Sequence, residues 1–327
     1  MSELILLLSI IISIAFISKG SDWLTDSLIP IAKKLKTTSI SIGLILISIV
    51  VSLPEILVAV YATFSGYKDI GLGVAFGSII CNIGLMTGLS AIIRPLKVTR
   101  NMLLRDGIFS VVVPILIFAL ASDGQITRIE GLATFLLFIP YLMNVFLQEK
   151  GIARQDFVEE KREVEVELDL IGWGYGKMEA DFLSFTLGLT LLLSGTYLFA
   201  FQLTQIVEIF AVDPLFIGIT LGAIIPSIPN IAAAYKATKR GLTEVAVSET
   251  IGSNIFTLLV TLGIISMLSP VVIKKQWLVF DLPVMMGMSF LLFFFSLTHS
   301  TINKKEGFIL FGSYAAILLL QILLFMK

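Results

Sequence analysis

Ser52-Leu53-Pro54-Glu55 and Ser227-Ile228-Pro229-Asn230 are one four-residue phrase written twice, 175 positions apart. Each interrupts a long apolar run, where proline removes a backbone hydrogen bond and a polar side chain is costly. The offset extends well beyond the phrase. Gly20 falls on Gly195, Gly43 on Gly218, Ala59 on Ala234, Thr63 on Thr238, Gly66 on Gly241, Gly77-Ser78 on Gly252-Ser253, Gly88 on Gly263 and Pro95 on Pro270. Helix packing in membranes enriches small residues but fixes no spacing. A constant offset therefore marks an internal repeat.

The runs themselves give the class. The 327 residues are 57% hydrophobic and 14% charged, with mean hydropathy +0.98; soluble domains are about half apolar and a quarter charged. Stretches long enough to cross a bilayer fall near 3–30, 38–65, 70–93, 104–121, 129–147, 182–205, 212–236, 245–268, 277–297 and 306–326. The expectation is an all-α integral membrane protein of ten transmembrane helices. Met1-Ser2-Glu3 lacks the basic start of a cleaved signal, so the first run reads as a retained span. Positions 175 apart lie five spans apart, and five is odd, so the two copies enter the membrane in opposite senses. The predicted plan is a first repeat over 1–147, a linker over 148–181 and a second repeat over 182–327.

Lys and Arg are unevenly shared between the loops. Seventeen lie in loops after odd-numbered spans and five on the other side. The positive-inside rule then puts the odd loops and the charged linker in the cytoplasm and both termini outside, in the cell membrane. A net charge of −1 argues against a nucleic-acid partner. The lone Cys81 forms no intrachain disulfide, and the lone His299 excludes a histidine metal cluster. No triad, P-loop or dinucleotide fingerprint is present, so the chain reads as a non-enzyme without a cofactor. Its expected partners are transported cations and lipid, and a monomer suffices. The acidic run within 156–169 has no EF-hand spacing and reads as a solvated connector, with a regulatory role as the alternative.

Inverted repeats whose helices break near the midplane are the plan of secondary transporters, with the ion site between the halves. Pro54 and Pro229 each free a carbonyl one turn earlier, and such backbone survives at that depth only beside protein or a polar cavity.

At these residues the chain resembles the cation/Ca2+ exchangers, which include Na+/Ca2+ and H+/Ca2+ antiporters. That family carries a signature near G-T-S-L-P-E on one helix and G-N-x-x-G-S-N-x-x-N on the next, once per repeat. Here the first repeat offers "IGLILISIVVSLPE" and "GLGVAFGSIICNIGL", and the second "IGITLGAIIPSIPN" and "VSETIGSNIFTLLVTLGI". The resemblance implies a ligand set of Glu55, Ser52, Ser78 and Asn82 from the first repeat. From the second it implies Ser227, Ser253, Asn230 in place of the second acid, and Thr257 in place of an amide or carboxylate. Backbone carbonyls near Ser48 and Ala223 complete it.

The departures bear on the cargo. The signature Gly-Thr pair is Val50-Val51 in one repeat and Ile225-Pro226 in the other, and the signature Asn is Val74 in one and Glu249 in the other. Ca2+ takes six to eight oxygens, and its affinity tracks carboxylate count. Glu55 alone suits a monovalent ion, a proton or weakly held Ca2+, and Glu55 is a natural proton carrier. Glu249 lies one turn before Ser253, about 6 Å along the axis, either as a replacement ligand or as a vestibule charge. Asn230 stands as a ligand or as a hydrogen-bond partner of Glu55, and Asp22 in span one is a weaker candidate. The implied function is antiport by alternating access, Ca2+ or a related cation against Na+ or H+. The alternatives are a monovalent cation/H+ exchanger, a cation channel, for which filter loops and acidic rings are missing, and a non-transporting sensor.

Overall fold

The computed structural model describes residues 3–34, 40–149, 182–298 and 300–325. The acidic run of the linker and His299 lie outside the described residues. Joining each π-helical stretch to its flanking turns gives ten helical segments among the described residues. They are α1 (Glu3–Lys34), α2 (Ile40–Phe64), α3 (Lys68–Ile93), α4 (100–121), α5 (128–149), α6 (Phe182–Phe210), α7 (Pro214–Lys239), α8 (Thr243–Leu268), α9 (Trp277–Leu297) and α10 (Lys304–Phe325). Eight of these are long and apolar enough to cross a membrane, and α2 and α4 carry the shorter apolar stretches Val51–Phe64 and Ile108–Ala121.

Two two-residue ladders join the loops. β1 (Leu96–Lys97) pairs antiparallel with β4 (Thr301–Ile302), and β2 (Gln125–Ile126) with β3 (Val271–Val272). Loops therefore gather on two faces. Face A carries the α3–α4, α7–α8 and α9–α10 loops, where β1 meets β4 and the Lys97 N–H donates to Thr243 Oγ1 at 3.3 Å. Face B carries the α2–α3, α4–α5, α6–α7 and α8–α9 loops. There Lys274 pairs with Asp69, the Ile273 N–H donates to the Gly124 carbonyl at 2.8 Å and the Tyr67 hydroxyl donates to Glu208 at 2.5 Å. Alternate loops share a face, as helices crossing in alternating directions require.

The repeat is legible in backbone detail. The π-helical stretch Asn82–Thr87 in α3 recurs as Thr257–Thr261 in α8, and Leu103–Gly107 in α4 recurs as Trp277–Asp281 in α9. Gly66 and Gly241 both turn through the left-handed region, at φ 89° and 93°, where a Cβ would be strained. The register then slips by one residue. Thr127 and Glu130 cap α5 reciprocally, Asn303 and Glu306 do the same for α10, and these pairs stand 176 apart. Gly131 and Gly307 follow the same shifted register, each pressed on the neighbouring helix.

Burial separates centre from rim. Every residue of α3 from 70 to 81 is buried, as is most of α8. The outer helices present large apolar side chains to the surroundings, among them Leu4, Leu7 and Leu8 of α1 and Phe308, Leu319 and Leu323 of α10. Such a surface belongs in lipid, where every backbone polar group is satisfied within its own helix. Close glycine contacts set the helix pairs. A Cβ on Gly20 would sit 2.5 Å from the Leu192 nitrogen, and one on Gly188 would sit 2.7 Å from that of Leu24. α1 and α6 thus run antiparallel with their backbones touching.

Candidate functional site

α2, α3, α7 and α8 bring the two signatures together at the centre. Both prolines sit inside helices, Pro54 in α2 and Pro229 in α7, the latter joined by Pro226. Each withdraws one backbone donor. The residues beside them, Ser52, Glu55, Ser227 and Asn230, are all fully buried.

The halves are tied by side-chain hydrogen bonds. The Ser227 hydroxyl donates to Glu55 Oε1 at 2.5 Å, joining α7 to α2. Ser52 Oγ and Ser253 Oγ are 3.2 Å apart, joining α2 to α8. The Asn82 amide donates to Ser253 Oγ at 3.3 Å and to Asn254 Oδ1 at 3.4 Å, joining α3 to α8. Ser78 and Thr257 stand beside the Glu55 carboxylate, outside hydrogen-bond geometry, while the Ser78 hydroxyl donates to the Ala75 carbonyl at 3.1 Å. Glu249 is near enough for its charge to act on Glu55. Ala223 is fully buried where α7 leaves its π-helical stretch. Ser48 lies on α2, and its side chain is outside the described residues.

Glu55 Oε2, Asn82 Oδ1, Asn230 Oδ1 and Thr257 Oγ1 are buried with no hydrogen-bond partner among the described residues. Leaving such groups unmatched costs about 1–3 kcal/mol each. At the signature positions they come one from each central helix and could serve a cation with one carboxylate oxygen and three neutral ones, while Thr238, Thr261 and Ser266 are unpartnered hydroxyls further along α7 and α8. Among the described residues no three His, Cys, Asp or Glu side chains converge on one point. Any cation held here meets mostly neutral oxygens.

Of the two sequence readings of Asn230, ligand or hydrogen-bond partner of Glu55, the second is excluded. Asn230 is not the hydrogen-bond partner of Glu55; Ser227, one turn earlier on the same helix, supplies the donor, and neither amide atom of Asn230 has a partner among the described residues. Three polar residues were missed. Asn254 bonds Asn82, and Thr87 bonds Thr250 at 2.6 Å. Asn254 was hidden because its counterpart in the first repeat is the apolar Ile79, although it directly follows Ser253. Two buried carboxylates outside the centre were also missed. Asp106 accepts from the Tyr141 hydroxyl at 3.2 Å and Asp281 from the Gln321 amide at 2.6 Å, at matching places in the π-helical stretches of α4 and α9. Asp22 is buried in α1.

Two oppositely oriented halves, proline-bearing helices that meet at the centre and buried polar groups there are the features of a membrane transporter of the exchanger class. The sodium/calcium exchanger protein family model matches residues 5–147 and 181–323, and the chain belongs to that family. It is 29% identical over 341 residues to sodium/calcium exchanger MaX1 of Methanosarcina acetivorans, covering 95% of this chain and 97% of that one. It is 31% identical over 235 residues to inner membrane protein YrbG of Escherichia coli, covering 70% of this chain and 69% of that protein. The solved structure of the sodium-calcium exchanger NCX_Mj superimposes with TM-score 0.67 at 27% identity, over 96% of this chain and 98% of that one. The protein is thus a multi-pass cation exchanger and not an enzyme.

Proposed function

We propose that the chain is a secondary active antiporter that exchanges Ca2+ or a related cation for Na+ or H+ at one midplane site centred on Glu55. The observation that carries this reading is the buried Glu55 carboxylate, bonded through Oε1 to Ser227 of the other half and unpartnered at Oε2, with unpartnered neutral oxygens at the signature positions of α3, α7 and α8. Ser52, Ser78, Ser227 and Ser253, with carbonyls near Ser48 and Ala223, complete the ligand set, and Glu249 supplies a second charge at its edge. The repeats over 1–147 and 182–327, joined by 148–181, each give one half of the site. Cations from opposite sides compete for this centre while α1 and α6 slide as one unit against the other helices. A monomer does this in the cell membrane, with both termini outside and the linker in the cytoplasm.

Proton and metal compete for the same carboxylate, so counter-transport follows from single occupancy. Glu55→Gln keeps the shape and removes the charge. In proteoliposomes it is expected to abolish Ca2+ uptake driven by an outward Na+ or H+ gradient; undiminished uptake would sink the central-site reading. The neutral Asn230 at the second acid's position favours a second reading, monovalent cation/H+ exchange. Uptake of labelled Na+ that excess Ca2+ leaves untouched would select it.

A further inference from the structure

The two-fold relation between the halves makes the routes from the centre to the two faces directly comparable, and they differ. Toward face A, α8 carries Glu249 and Thr250 before Ser253, and α3 carries Thr87 beyond Asn82. Toward face B, the positions 175 earlier or later are Val74, Ala75 and Leu262. All six are buried. On the face A side the two threonines bond each other across α3 and α8 at 2.6 Å. On the face B side Thr261, opposite Met86, and Ser266, opposite Ala91, are polar, and neither bears a charge.

On the face B side the packing is close. A Cβ on Gly218 would sit 2.5 Å from the Ile70 carbonyl oxygen, one on Gly73 would sit 2.7 Å from that of Leu215, and one on Gly222 would sit 2.8 Å from Val74 Cγ2. α3 and α7 are in backbone contact along the face B half, which leaves no room for a hydrated ion. The counterpart of Gly73 is Ser248, larger and half-buried.

We infer that the cation path is asymmetric: Glu249, with the Thr87–Thr250 pair, stages the arriving cation on the face A side only, and the related route to face B is an apolar seal of Val74 and the α3–α7 glycine contact. This rests on reading Glu55 as the cargo centre. Glu249 is a positioning residue here. Its charge raises the local cation concentration on one approach, and the face B approach has no equivalent when α3 and α7 part.

Two measurements test this. In membrane vesicles of both orientations, Glu249→Gln is expected to raise the Ca2+ concentration for half-maximal uptake from face A by about tenfold, the low end of what charge focusing supplies. Uptake from face B shifts less, by only what the lost charge beside Glu55 imposes on both approaches, and Glu249→Asp restores the face A value. An equal shift at both faces, or none at either, overturns the inference. The second measurement needs no transport. In a Cys81→Ser background, Lys97→Cys marks face A, and Thr87→Cys and Leu262→Cys are exposed to a membrane-impermeant cationic thiol reagent. Thr87→Cys is expected to react from face A about tenfold faster than Leu262→Cys from face B, by the same focusing; equal rates overturn the asymmetry. Loss of the Glu55 reading would show as Glu55→Gln vesicles that still exchange, whatever the labelling rates.

Discussion

The two halves agree in backbone and disagree in chemistry. Both place π-helical stretches at matching points, both turn at a left-handed glycine, and both tie their last loop into a two-residue ladder with the other half. At the centre, however, Glu55 faces Asn230, Asn82 faces Thr257 and Val74 faces Glu249 across the pseudo-symmetry. π-helical insertions cost register and persist mostly at functional sites. Their repetition shows that opposed, interrupted helices are the shared requirement, whereas the charges are set separately in each half. One backbone difference has a visible cause. α7 is π-helical over Gly218–Gly222, and α2 is α-helical throughout Ile40–Phe64. Pro226, opposite Val51, withdraws the donor that the Gly222 carbonyl would use in α register.

The sharpest way to break the comparison is to exchange the unlike pair. Glu55→Asn alone should reduce cation flux to background, the largest effect expected. Glu55→Asn with Asn230→Glu should recover flux only in part. In the native arrangement Ser227 donates to Glu55, whereas its counterpart Ser52 is engaged with Ser253. Full recovery in proteoliposome uptake would mean that the hydroxyls rearrange freely and the halves are interchangeable.

That asymmetry of hydroxyls marks where the sequence stopped being readable. Apolar runs, glycines and prolines expose spans and repeat because bilayer thickness and backbone contact constrain them strongly, and the expected spans fall within a few residues on the helical segments of the described residues, eight of which are long and apolar enough to cross a membrane. The donor to Glu55 depends on an ångström-scale choice between Ser227 and Asn230 on one helical face, which spacing does not encode. The π-helical stretches have no compositional signature either, since an extra residue in a turn leaves the apolar pattern intact. The slip to 176 was invisible for a similar reason: it falls within α9, whose end at Leu297 already stands 176 from Ala121 of α4, after the last matched proline. Asn254 was overlooked because a search by symmetry discards residues whose counterpart is apolar.

A second comparison sets a packed glycine against an open one. Gly218→Ala drives a methyl into the Ile70 carbonyl, and Gly287→Ala meets nothing within 4 Å. The first should cost about 1–3 kcal/mol, the range for overpacking, read as a lower thermal midpoint in detergent, and the second should be neutral. Equal midpoints would mean that α3 and α7 do not need their backbone contact. Smaller again is the matched pair of caps. Thr127→Ala and Asn303→Ala should each cost about 1 kcal/mol, typical of a lost N-cap. A cost at only one of them would show that the two final loops, although alike, do not carry equal strain.

The smallest expected effect lies on face B, where Lys274 and Asp69 join the α8–α9 loop to the first turn of α3. Partial burial pulls the Lys274 pKa down, but the hydrogen bond and charge of Asp69, aided by Asp213, outweigh it, so the ammonium is held above its ordinary range. A raised lysine pKa contributes stability that is fully present below the unfolded value and is lost as pH rises through the folded one. The contribution is therefore intact at neutral pH and disappears only under strongly alkaline conditions. Half of the Lys274 side chain is exposed, and exposed ion pairs give no more than about 1 kcal/mol. Asp69→Asn should accordingly lower the thermal midpoint slightly at neutral pH, less at high salt where the pair is screened, and not at all once Lys274 is deprotonated. A large salt-independent loss would mean that Asp69, in the first turn of α3, acts through the seal of the α3–α7 contact rather than through its lysine.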